Sequence, residues 1–202
     1  MQLAEQYCQR EKANRTAAEQ EVLRLLLHED YSRAVLVVAE FEAAQVFARG
    51  LGIDWKNHNG TAHCEMLSAI FKTTPAILQG IDDIRLKQLR PFAGMMHLWG
   101  TGTARPWLPK AFDTGIHLDA DTACRMLMFH AYHLRTLKGY QGGSITTVEV
   151  HGVDDSICCA ECRKLRGREF PLEEVPELPY ANCTSEIGCR CHLYPIIDYL
   201  KQ

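Results

Sequence analysis

Six of the chain's nine cysteines fall between Asp154 and Ile197: Cys158, Cys159, Cys162, Cys183, Cys189 and Cys191, with His192 beside the last. A Cys-x2-Cys pair (Cys159, Cys162) is followed, after twenty intervening residues, by Cys183 and then by Cys189-Arg-Cys191. Two half-sites joined by a linker of that length suit a tetrahedral zinc ion. One tight turn aims two thiolates at the metal, and a distant segment supplies the rest. Cys159 and Cys162 form the firmest pair, and Cys158 can replace Cys159 through a Cys-x3-Cys spacing. On the distal side Cys183, Cys189, Cys191 and His192 compete for two positions. The paired spacing favours Cys189 and Cys191, with Cys183 next. A four-thiolate site is closed, so the Zn2+ expected here is structural and leaves no position for a reactive water. Buried free thiols are the plainer alternative, because cysteine packs as a small hydrophobe. Six in so short a stretch exceed what that reading predicts.

A second constellation could do chemistry of another kind. His130 and His133 lie three apart on one helical side, and His117 and Asp119 precede them in IHLDAD. If these four side chains met in one cleft they could form the metal or acid–base site of a hydrolase or nuclease. No HExxH pattern accompanies them, and hydrogen-bonded histidines at the edge of a core are the competing reading. His58, His63 and Cys64 are a weaker third group, without paired spacing. Between residues 85 and 110, Arg85, Lys87, Arg90, Arg105 and Lys110 interleave with Phe92, Trp99 and Trp107. That mixture suits phosphate contact with base stacking, and hence nucleic-acid binding. The bland alternative is a loop with half-buried tryptophans and ordinary surface charge.

The elements that would position these groups follow from pattern. Residues 3–28 read as a helix, free of Gly and Pro and apolar only near Val22–Leu27. A second helix should start near Asp30 or Ser32 and stop by Gly50 and Gly52. Short helices are expected over 61–72 and 81–89. The clearest helix spans 121–138, capped by Asp119 or Asp121 and stopped at Gly139. QGGS at 141–144 marks a joint, which divides the chain into a helical domain over 1–142 and a cysteine-rich module over 143–202. In that module the β-branched run 145–150 reads as a strand, Gly167 as a tight turn and Phe170 as a short strand. Pro171, Pro176 and Pro179 forbid a long helix and carry Cys183 back towards the first pair.

The segments VDDSICCAECRKLRGREF, PELPYANC and CRCHLYPI, about a quarter of the chain, resemble the C-terminal cysteine module of phage head-morphogenesis (minor head, Mu F-like) proteins. There a Cys-x2-Cys precedes a glycine-containing turn, and a proline-rich loop ends in Cys-Arg-Cys. The resemblance implies that Cys159, Cys162, Cys189 and Cys191 hold the metal. It also implies that the partner is another copy of the chain or a portal-like assembly. This sequence departs from the family pattern in having Tyr180-Ala181-Asn182-Cys183 in place of His-Pro-Asn, and in the inserted residues 184–188.

Composition sets the remaining bounds. The 202 residues are 47% hydrophobic, enough for a proper core, and the net charge is −3. Residues 151–202 hold 9 of the 25 acidic and 6 of the 22 basic side chains. The cysteine module is therefore mildly acidic and carries no footprint for nucleic acid or anionic membrane. The start, MQLAEQYCQREKAN, lacks the apolar core of a secretory signal, and no run approaches the ~20 apolar residues of a membrane span. These features predict a reducing, cytoplasmic setting. The expected fold is α+β and mostly α: an irregular helical domain followed by a small zinc-knuckle β module, treble-clef-like or ribbon-like. The expected role is a zinc-stabilised binding or assembly protein, with the hydrolase and nucleic-acid readings as alternatives.

Overall fold

The computed structural model describes residues 2–44 and 59–197. Gly50, Gly52 and His58 lie outside the described residues. The chain is mostly helical, with a small three-stranded antiparallel sheet towards its C-terminal end. No helix among the described residues is long and apolar enough to cross a membrane.

The first helix, α1, spans Gln2–Leu27 and buries only its apolar end, Val22, Leu25 and Leu26. It closes in a Schellman arrangement. Glu29 takes a left-handed φ of 56°, its N–H donates to the Leu26 carbonyl (3.0 Å), and the Asp30 N–H donates to the Leu25 carbonyl (2.9 Å). Asp30 then caps α2 (Tyr31–Ala43), where its carboxylate accepts from the Arg33 N–H. The run AVLVVAEF is therefore helical. It buries Ala34, Val35, Val38 and Ala39 at helical spacing rather than alternating ones.

Asn59 caps α3 (Gly60–Lys72), and Asp82 caps α4 (Asp83–Trp99). The fourth helix runs ten residues beyond the expected end at Leu89, straight through Pro91. Proline removes one N–H, which would have bonded the carbonyl of Lys87 four residues back. Lys87 is exposed, so water can serve that carbonyl. Leu86, Leu89, Ala93, Met95, Met96, Leu98 and Trp99 are all buried, which makes α4 the central helix. A single turn, α5 (Thr101–Ala104), follows it.

Asp119 caps α6 (Ala120–Gln141) by accepting from the Thr122 N–H at 2.7 Å. Its apolar side (Ala123, Cys124, Leu127, Ala131) packs on α4 and α3. The helix passes the expected stop at Gly139 and ends at Gly142. After it come β1 (Thr147–His151), α7 (Ala160–Leu165), β2 (Glu169–Pro171) and β3 (His192–Ile196). The sheet order is β2-β1-β3, both pairs antiparallel, with Val148 opposite Phe170 and Pro195 and Val150 opposite Leu193. Val148 and Val150 point inward and join Leu165, Leu178 and Leu193 in a small second core. Gly167 turns α7 into β2 with a φ of 74°, its N–H donating to the Val150 carbonyl (2.8 Å).

Candidate metal centre

The register of β3 on β1 decides where the cysteines meet. β1 is the shared strand, so α7 and β2 leave from one of its ends and Cys189 to Cys191 arrive beside the same end. Cys159 is the N-cap of α7, and its sulfur accepts the Cys162 N–H at 3.4 Å. A helix start puts N-cap and N3 residues on one side, so both thiols face the same point. Asp155 shapes the entry to α7 by accepting from the Ile157 and Cys158 N–H groups (3.1 and 3.0 Å). The same carboxylate takes two hydrogen bonds from Arg190, at 2.6 and 2.7 Å. One ion pair thus ties the two cysteine-bearing segments together. It also holds the Asp155 carboxyl at about 2, with the Arg190 hydrogen bonds the chief cause.

Five sulfurs converge. Cys159, Cys162 and Cys183 form one group, and Cys162, Cys189 and Cys191 form another, with the sulfurs of each group within 4.8 Å of one another. Cys159 lies 3.8 Å from Cys183, and Cys162 lies 3.9 Å from Cys189. Disulfide sulfurs would sit at about 2.05 Å, and these cysteines are free thiols. A tetrahedron with Zn–S bonds of about 2.3 Å has edges of about 3.8 Å, so the two closest pairs stand at the spacing of thiolates on one ion, and each group gathers three thiols. Cys162, Cys183 and Cys189 are buried, and Cys159 and Cys191 are half-buried. A space of about 10 Å³ is bordered by Cys158, Cys159, Cys162, Cys183 and Cys191, and Ser185 lines it with a buried hydroxyl that has no partner among the described residues. The five thiols are thus positioned to hold a metal ion.

The electrostatics favour thiolates at two of the five positions, Cys159 and Cys189, while hydrogen bonding to neighbouring sulfurs, together with burial, pushes Cys162, Cys183 and Cys191 up. Burial pushes the Cys159 thiol up, but the N–H groups of Cys162 and Thr184 and the thiols of Cys162 and Cys183 outweigh it and bring Cys159 down to about 7. Cys189 is driven down by hydrogen bonds from Cys162, Cys183 and Cys191. Anions at these positions attract a soft divalent cation.

Cys183, which spacing placed second, is among the most buried of the five. Cys158 directs its sulfur at the Cys159 carbonyl (3.7 Å) and belongs to neither group. His192 is exposed on β3, where its ring sits 5.9 Å from that of His151. The structure does not bring it to the thiols.

The histidine constellation divides. His117 is exposed, and Asp119 is spent as the cap of α6. His130 lies eleven residues further along that helix, roughly 16 Å away at 1.5 Å per residue. His130 and His133 remain neighbours, with ring centroids 6.4 Å apart, and both are buried. His130 Nδ1 lies 3.2 Å from the Leu178 carbonyl and so pins the proline-rich loop to α6. Burial, with His130 nearby, lowers His133 to about 4. A pairing that spacing gives no sign of appears elsewhere. His63 Nδ1 and His97 Nε2 are 3.0 Å apart, and His97 Nδ1 meets the Tyr132 hydroxyl at 3.1 Å. Residues 34 and 35 apart in sequence carry no periodic signal. Cys64 is not part of that pairing and faces Ser32 at 3.9 Å.

The basic stretch is largely committed internally. Arg90 donates to the Ile70 and Thr73 carbonyls and the Thr74 hydroxyl, and Arg105 pairs with Asp121. Arg85 pairs with Asp82 at 2.6 Å. Trp99 is 1% exposed, and Trp107 donates its Nε1–H to Glu19 at 2.9 Å. Lys87 and Lys110 are exposed. Comparison of the chain with protein-family models, with curated proteins and with solved structures finds no match.

Proposed function

We propose that this chain is a zinc-stabilised binding or assembly protein, in which a four-thiolate ion is structural and takes no part in chemistry. The observation that carries the reading is the convergence of five thiols from three separate segments, with two of the pairs at tetrahedral edge distances, 3.8 and 3.9 Å. Zinc favours such thiolate sets, and a closed site leaves no open position for a substrate. A metal with this grip contributes about 10–16 kcal/mol of apparent binding energy in small fingers. It can hold together a module whose own apolar core is five buried side chains. Five thiols for four positions make one of them redundant. Cys162 belongs to both groups and is the common ligand. The resemblance to head-morphogenesis proteins supports a protein partner, foremost other copies of the same chain. Sedimentation of the zinc-loaded protein reads out self-association.

Elemental analysis of the purified chain, with single cysteine-to-serine variants, tests the site. One zinc per chain is expected in the wild type. Cys162→Ser should lose it, while Cys158→Ser keeps it. Serine at Cys159, Cys183, Cys189 or Cys191 should weaken retention against a chelator without abolishing it, because a fifth thiol remains. A wild-type protein purified without chelator and free of zinc would overturn the reading, as would full zinc occupancy in Cys162→Ser.

A further inference from the structure

A cavity of about 370 Å³ lies between α6, the loop at Leu178–Pro179 and the start of β3. Its volume is in the range of small-molecule sites. Phe129, Leu178, Pro179 and Leu193 give it apolar walls. Its polar groups differ sharply in how they are satisfied. Arg190 gives two guanidinium nitrogens to Asp155, so its charge is already matched. The Tyr132 hydroxyl is engaged by His97, which is itself bonded to His63, and this chain across three helices fixes the tyrosine ring at the cavity wall. His133 is 7% exposed, borders the cavity and makes no hydrogen bond to any described residue. Its neighbour one turn away, His130, is bonded to the Leu178 carbonyl. The ring nitrogens of His133 are not among the buried polar atoms left without a partner, so they reach the solvent of the cavity, where a ligand group can take the place of water. Here the open partner position is the cavity itself.

We propose that this cavity binds an uncharged planar aromatic molecule bearing an N–H or O–H group. The ring lies between Phe129, Leu178, Pro179 and Leu193, and the polar edge hydrogen-bonds to His133. A fixed tyrosine and helix-borne walls keep the site formed without ligand, which lowers the cost of binding. A carboxylate would bring a charge into a pocket whose one guanidinium is already paired, and it would pay the desolvation of a full charge for at most the neutral N–H of His133. Cys191 of the metal centre borders the cavity, but the proposed contacts are with His133 and the apolar walls, and so go beyond the zinc reading.

The test is a titration of the full chain, as purified with its metal, with indole and with indole-3-carboxylate, followed by NMR. Zinc content is measured on the same samples, so a failure of the metal reading is seen separately from a failure of this one. Indole should bind saturably, with a Kd below about 1 mM, and should shift signals of His133, Thr136 and Leu193. Indole-3-carboxylate should bind at least about tenfold more weakly, the cost of burying an unpaired charge. His133→Phe should weaken indole about tenfold, from loss of the buried hydrogen bond, and Thr136→Trp should fill the cavity and abolish binding. A crystal of the wild type soaked in indole gives a reading independent of whether either variant folds, and density between Phe129 and Leu193 is expected. The proposal is overturned by an empty cavity in that crystal, by shifts confined to other surfaces, by equal affinity for the carboxylate, or by folded variants that bind as the wild type does.

Discussion

Replacing Gly188, buried in the loop that leads into Cys189, by alanine should do more damage than one added methyl group suggests. Gly188 precedes Cys189 and has a φ of 78°, a left-handed conformation that costs other residues about 1–2 kcal/mol. An added Cβ would also lie 2.6 Å from Met126 Cε, 2.8 Å from Met126 Sδ and 2.9 Å from Thr122 Cγ2. The methionine end can swing away. Thr122 cannot follow easily, because Arg125 donates to its hydroxyl at 2.7 Å and to the Ile187 carbonyl at 3.1 Å, which locks helix and loop at that separation. Overpacking of this kind costs about 1–3 kcal/mol, for a total of about 2–5 kcal/mol. In a chain of this size that corresponds to a fall of about 5–15 °C in Tm. Gly167→Ala supplies the reference. Its φ is 74°, but the nearest atom to its Cβ is Glu149 Oε1 at 4.0 Å, so only the backbone cost of about 1–2 kcal/mol remains. Urea unfolding followed by circular dichroism, at one fixed excess of zinc, compares the two variants on equal terms. Gly188→Ala should be the worse by about 1–3 kcal/mol. Equal losses in the two variants would refute the claim that the cysteine loop is seated on α6.

Asp155→Asn cuts the ion pair between the two cysteine segments, and chelator competition at neutral pH should show zinc held about tenfold more weakly, the scale of such supporting interactions. The folded Asp155 carboxyl, at about 2, lies below its ordinary 3.8, so its contribution is complete above pH 4 and fades as the pH drops towards 2; that acid sensitivity should shrink in the variant. His97 is held at about 4 rather than 6.5, mainly by burial and then by His63 and Arg135, so the unfolded chain binds the extra proton first as the solution is acidified. Stability should therefore decline from pH 6.5 to 4 by up to ~3 kcal/mol, and denaturant unfolding of His97→Gln across that range should show a flatter profile. Arg90→Met leaves the Ile70 and Thr73 carbonyls without their shared donor and should cost about 2–3 kcal/mol in unfolding experiments, while salt-dependent DNA retention stays at its wild-type level.

What the sequence discloses depends on whether the physics is local. Caps and stripes are local, so the helices ending at Leu27 and Lys72 and the long helix opened by Asp119 could be read within a few residues. The paired cysteines are local as well, since a Cys-x2-Cys turn needs no distant information to aim two thiols together. The end of the fourth helix lies ten residues past the expected Leu89, beyond Pro91, and the cost of a helical proline depends on the surroundings of the carbonyl four residues back, which is a property of the packed molecule. Gly139 misled for a related reason. A glycine stops a helix only when the chain adopts a left-handed turn there, and α6 instead continues to Gln141. The role of Arg90 and Trp99 was hidden most completely. A basic–aromatic run looks the same whether its arginines face phosphates or the carbonyls of a neighbouring helix, and only the packing of α3 on α4 decides. The His63–His97–Tyr132 chain belongs to that class too, being a product of tertiary register rather than of spacing, whereas Cys183 was already among the candidates that spacing offers.

Sequence places a joint near residue 142, but the packing does not respect it. Cys162, Cys183 and Cys189 belong to the same buried cluster as Leu89, Cys124, Met126 and Leu127, so the thiols rest on the first half of α6 while the sheet lies by its second half. His130 holds the Leu178 carbonyl at the midpoint, and Arg125 holds that of Ile187. The chain leaves α6 at Gln141 and doubles back along it, so the metal site is attached to the helical core at several points of one helix. Apolar area shared between two segments stabilises both, and removing either exposes it on the other. Loss of the metal would free the loop that covers Thr122 and Met126 and uncover that face of α6. An ion held there would act on the helical core as well as on the sheet, and residues 143–202 expressed alone would lack the surface against which their cysteines are ordered.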